Sequence, residues 1–173
     1  MWYKILLSIL AISIIIMLQV TWLGSFGQYW SGFNLILATL VILIFLTDFS
    51  RIIFFVIIAG ILLDIYSSLP FGVFLLSLFV AAVSCEIVFL NFLTNRSFYS
   101  VMLMGLVALM SFHVTFLIVS GFFHLVGLSN FYVNGKYFVT LLYQLINTLI
   151  SLSIMFSIVN SLSKKFKPNF LRS

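Results

Sequence analysis

Charge is the scarcest commodity in this chain. Only 6% of its 173 residues are Asp, Glu, Lys or Arg, and just three of them are acidic. A soluble domain carries about a quarter charged residues, so a soluble enzyme is excluded, and no nucleic-acid partner is expected. Cysteine is nearly missing as well. Cys85 stands alone inside an apolar run, which excludes a secreted disulfide scaffold and a zinc finger and makes this thiol small packing bulk. Gly-rich phosphate loops are absent, and so is any stretch long enough for an extramembrane domain. At 64% hydrophobic residues and a mean hydropathy of +1.33, disorder is excluded too.

What fills the chain is apolar bulk, including 21 Phe. With about 20 apolar residues per membrane crossing, the runs divide into six segments, near 4–23, 33–48, 52–66, 72–94, 98–127 and 137–163. The expected fold is all-α, a polytopic membrane helix bundle of about six transmembrane helices in one domain over residues 1–173. The third segment is short, and the break between the second and third is the least marked.

Orientation follows from the basic residues near the span ends. With six spans, Lys4, Arg51, Arg96, Lys164, Lys165, Lys167 and Arg172 share one side, and only Lys136 lies on the other. Both termini are therefore expected in the cytoplasm. Trp2, Tyr3, Trp22, Tyr29, Trp30, Tyr66, Tyr99, Tyr132 and Tyr137 fall near span ends, where aromatic rings favour the headgroup region. The first segment has one basic residue and no small-residue cleavage site, so it reads as a span rather than a cleaved signal peptide. The Lys164-Lys165-Phe166-Lys167 run reads as a topology anchor, with a lipid or partner site as the alternative.

Polar residues inside the spans carry the most information, because lipid offers them no partner. Thr140, Gln144, Asn147, Thr148 and Ser151 recur on one helical face of the last segment. That stripe should point into the bundle. Ser77, Ala81, Ser84 and Cys85 form a small-residue face in the fourth segment, and Gln19, Gly105 and Ala108 are similar. Helix packing accounts for all of these; lining a substrate cavity is the alternative. Glu86 lies about 13–15 Å from the level of Arg96 along a helix. A carboxyl there is protonated or paired. It reads as a partner-helix contact or a satisfied acid, with a proton relay as the rival.

Chemistry finds little footing. His113 and His124 stand about 16 Å apart along one helix, with no Cys, Asp or Glu at ligand spacing. No metal, cofactor or catalytic site is expected, and the protein is not expected to be an enzyme.

One local motif stands out, Gly60-Ile-Leu-Leu-Asp64-Ile-Tyr-Ser67-Ser-Leu-Pro70-Phe-Gly72. Gly60 and Asp64 share a helical face. Asp64 and Ser67 can accept backbone N–H groups where the helix stops, Pro70 and Gly72 turn the chain, and the next helix start needs partners for its free amides. The motif reads as a capped turn between two spans.

This Gly-x-x-x-Asp-x-x-Ser-x-x-x-x-Gly pattern, followed by Leu76-Ser77, resembles the rod shape-determining protein MreD family. Leu18-Gln19 late in the first span, the small size, the six-span pattern and the basic tail agree. The chain departs from the family at Ser68, where Gly is frequent, and at Phe33-Asn34, where a Pro-containing turn is usual. The resemblance implies a non-enzymatic, multi-pass component of the bacterial cytoplasmic membrane. Its implied partner is MreC and, indirectly, the MreB cytoskeleton, the glycosyltransferase RodA and a class B penicillin-binding protein, in side-wall peptidoglycan synthesis. Asp64, Ser67 and Gly72 would then shape an outer-face turn for a partner. MreD is similar in fold to the S components of energy-coupling-factor transporters, so a small-molecule (vitamin) binding importer subunit is the alternative. An intramembrane enzyme using Glu86, Asp64 or His113 is a further rival.

Overall fold

A computed structural model describes residues 10, 13–19, 34–92, 97–128 and 135–166. It is all-helical, with no strand among the described residues. After a helical stretch at 13–19 come α1 (Leu35–Leu46), α2 (Phe49–Tyr66), α3 (Val73–Phe92), α4 (Phe98–Leu125) and α5 (Gly135–Phe166). Most of the first expected span, 4–23, lies outside the described residues.

Four helices, α2 to α5, are long and apolar enough to cross a membrane. Their outward faces explain why water is the wrong solvent. Along α4, Leu103, Leu106, Met110, Val114 and Ile118 are exposed, and along α5, Leu142, Ile146, Ile150, Ile154 and Ile158. Apolar stripes running the length of a helix suit lipid contact; a soluble monomer rarely exposes patches of that size.

The second expected span differs most from its reading. α1 has only 12 residues, about 18 Å at 1.5 Å per residue, against a hydrocarbon core of about 30 Å. It sits at the centre of the bundle, packed against all four long helices. Eight of its residues, among them Leu37, Leu40, Val41 and Ile44, are buried. A helix that is hydrophobic all round is surrounded by apolar partners on every side; here those partners are protein. The third segment is longer than expected, with 18 residues. The expected break at Asp48-Phe-Ser-Arg51 narrows to Thr47 and Asp48, and Phe49 to Arg51 open the helix. Asp48 is extended at the N-cap, and its carbonyl accepts from Arg51 N–H at 3.0 Å.

Neighbouring long helices pack antiparallel. Phe74 of α3 meets Phe112 and Phe116 of α4 at centroid distances of 6.3 and 5.6 Å, while further down α3 the Cys85 thiol donates to Met104 O at 3.6 Å. Phe98 near the start of α4 stacks edge-on with Phe156 late in α5 at 5.7 Å, and His113 meets Tyr137 near α5's start. Small residues permit the close approach: Ala81, Ala82 and Cys85 on α3 and Ala108 on α4 are all buried, as membrane helix interfaces favour.

Candidate functional site: the Asp64 turn

The reversal between α2 and α3 gathers the residues of the sequence motif. Asp64 ends up in the last turn of α2 with 4% of its surface exposed. Its Oδ2 accepts the N–H of Gly72 at 2.9 Å and that of Leu75 at 3.3 Å, and its Oδ1 accepts the N–H of Phe74 at 2.8 Å. A helix leaves its first four amides without intrahelical partners. One side chain from the preceding helix therefore satisfies most of that demand at the start of α3. The helix dipole there favours the negative charge as well. Charge-assisted hydrogen bonds of this kind are stronger than neutral ones, which is how a carboxyl can be buried with no cation beside it among the described residues.

The rest of the motif builds the same geometry. Ser67 N–H donates to Leu63 O at 2.9 Å and closes α2, and the Ser67 hydroxyl donates to Asp64 O at 3.1 Å. Leu69 N–H reaches back to the Ser67 hydroxyl at 3.4 Å. Pro70 follows in the non-helical connection. Gly72 has φ of +101°, a conformation in which a side chain is strained. Gly60, one turn before Asp64, lets α3 come in: a Cβ there would stand 2.6 Å from Leu75 Cα.

A second helix start is capped in a related way. Asn34 Oδ1 accepts Leu37 N–H at 3.1 Å, and Gln19 Oε1 accepts Ile36 N–H at 3.0 Å from the 13–19 stretch. Gln19 thus serves the buried N-terminus of α1. Sequence reasoning gave Gln19 a packing position and a part in the family resemblance but not this partner, since no local pattern links residues seventeen apart.

The polar stripe of α5 lies against the bundle. Thr148 and Ser151 are buried, Gln144 and Asn147 are half-buried, and the exposed positions fall on the other side. Ser151 donates to Thr148 O at 2.8 Å. Facing the stripe, His113 Nδ1 is 2.9 Å from the Tyr137 hydroxyl. His113 Nε2 and Thr148 Oγ1 are buried without a hydrogen-bond partner. The His113–Tyr137 pair had no signal in the sequence beyond two polar residues near span positions.

Glu86 lies half-buried on α3, far from the turn, and Asp64, Glu86 and His113 share no hydrogen bond or ion pair. Among the described residues no three His, Cys, Asp or Glu side chains gather as a metal would need. The arrangement at Asp64 orients backbone, and its carboxylate oxygens are occupied by amides. Compared with protein-family models, curated proteins and solved structures, the chain matches none.

Proposed function

We propose that this protein is an MreD-like, non-enzymatic component of the bacterial cell-elongation machinery. It sits in the cytoplasmic membrane with six spans and both termini inside, and couples MreC and the MreB cytoskeleton to RodA and its penicillin-binding partner. The observation that carries this reading is the Asp64 carboxylate held by Gly72, Phe74 and Leu75. The motif that suggests the family is spent on fixing how α2 meets α3, which suits a scaffold presenting a shaped turn. The lysine and arginine bias supports the six-span count, with α1 as the second crossing.

The test is complementation. In rod-shaped cells depleted of their own MreD, this protein should restore rods and co-purify with MreC. Spherical cells despite normal membrane levels would overturn the reading.

One observation favours a second reading. His113 and Tyr137 form a polar pair between α4 and α5, the imidazole buried and the phenol half-buried, as an importer subunit binding a small molecule would need. Vitamin uptake that depends on the protein, with cell shape unaffected by its loss, would establish that alternative.

A further inference from the structure

Glu86 occupies a position that neither the turn nor the core explains. Its neighbours Ala82 and Cys85 face inward with Leu78 and Ala81, all buried. Phe79, Ile87 and Leu90 face outward and are exposed, Leu90 at 72%. Glu86 sits at the edge of that outward face, half-buried, and makes no hydrogen bond or ion pair with any described residue. Arg51, the cation at the start of the adjacent helix α2, is paired with Asp48 at 3.4 Å.

The pattern around Glu86 is more specific than a stray acid. Phe79, Val83, Glu86 and Leu90 follow spacings of four, three and four, the seam of a helix that packs against another along its length. Three seam positions are apolar and one is a carboxyl. A single polar residue in such a seam selects partner and register. Lipid offers no donor at this depth, about 9 Å from the end of α3 at Phe92, and an intramembrane carboxyl calls for a partner. A second copy of this chain is a poor occupant, because a two-fold contact along this seam would set Glu86 against Glu86.

We propose that the Phe79–Val83–Glu86–Leu90 seam of α3 docks a transmembrane helix of a partner protein, and that this helix places a Lys or Arg beside Glu86. The basic side chain sits near the end of the span that the charge bias assigns to the cytoplasm, where its stem lies along the seam. The surface is about 16 Å along α3 from the Asp64-bound amide of Leu75, and its existence does not rest on the elongation reading.

The experiment uses the full-length protein in lipid bilayers, with a photo-crosslinking residue at Leu90. The probes are leucine-rich transmembrane peptides carrying one Lys, one Gln or no polar residue at the matching depth. The Lys peptide should associate about tenfold more tightly than the apolar peptide, and Glu86→Gln should remove that advantage. Because Glu86 bonds no described residue, Glu86→Gln should unfold at the same temperature as the parent, so its effect reads as docking. A Val114 crosslinker on the outward face of α4 should capture no peptide. In cells, the Leu90 crosslinker should capture a protein with Lys or Arg in its span. Equal association of the Lys and apolar peptides, an unchanged Lys advantage in Glu86→Gln, or capture only of a second copy of this chain would each overturn the proposal.

Discussion

Gly60 of α2 lies so close to Leu75 of α3 that a Cβ on the glycine would stand 2.6 Å from the Leu75 Cα. The obstacle is backbone, which cannot rotate away as a side chain can. Gly60→Ala should therefore destabilise the bundle by about 1–3 kcal/mol through overpacking, outweighing the gain in helix propensity of about 1 kcal/mol. Leu75→Ala should not rescue it, because the Leu75 Cα remains. Gly121→Ala, at a position where a Cβ meets nothing within 4 Å, is the control and should be neutral or slightly stabilising. Unfolding in detergent with increasing denaturant reads all three, and a stable Gly60→Ala would contradict this packing.

Asp64 binds amides of α3 through both oxygens. Asp64→Asn keeps one acceptor and turns an NH2 toward a backbone N–H, so it should cost about 1–2 kcal/mol, in the range of a lost helix cap. Asp64→Ala strands several buried amides and should cost more. Hydrogen exchange at Gly72, Phe74 and Leu75 should accelerate in both variants while the centre of α3 stays protected. Under the elongation reading, Asp64→Asn should also round the cells and weaken co-purification with MreC.

Two neighbours on α5 should behave oppositely. Thr148 is 1% exposed and its hydroxyl has no partner. Thr148→Val removes an unsatisfied buried group at nearly constant volume, and should leave stability unchanged or raise it. Asn147→Leu removes a half-buried amide from the same stripe and should lower stability by about 0.6 kcal/mol. Thermal unfolding in one detergent separates them. A large loss in Thr148→Val would mean that its hydroxyl is engaged after all.

Topology is tested by reporter fusions. Fusions after Ser97 and at Ser173 should report the cytoplasm, and one after Asn130 the outside. An external carboxy terminus would reduce the six-span count.

The division between sequence and tertiary structure is visible residue by residue. Sparse charge and long apolar runs were enough to predict helices and to mark α3 to α5 as membrane-crossing in length, while α2 was read as short. The Asp64 turn was also legible, because its parts lie within thirteen consecutive positions, Gly60 to Gly72. Helix ends always leave free amides nearby, so an acid, a serine and a glycine at those spacings point to their own use. The pairings of Gln19 with Ile36 N–H and of His113 with Tyr137 bring distant residues together, and no periodicity encodes them. The break at Asp48 was legible, but α2 begins at Phe49 rather than at 52 because polar residues in a first helical turn resemble those of a loop. α1 shows the limit most clearly. Its residues are apolar on every side, and composition records only that they avoid water. Whether lipid or protein replaces that water depends on which helices pack around it. In this fold α2 to α5 do so, and a helix that composition marks only as apolar forms the centre of the core.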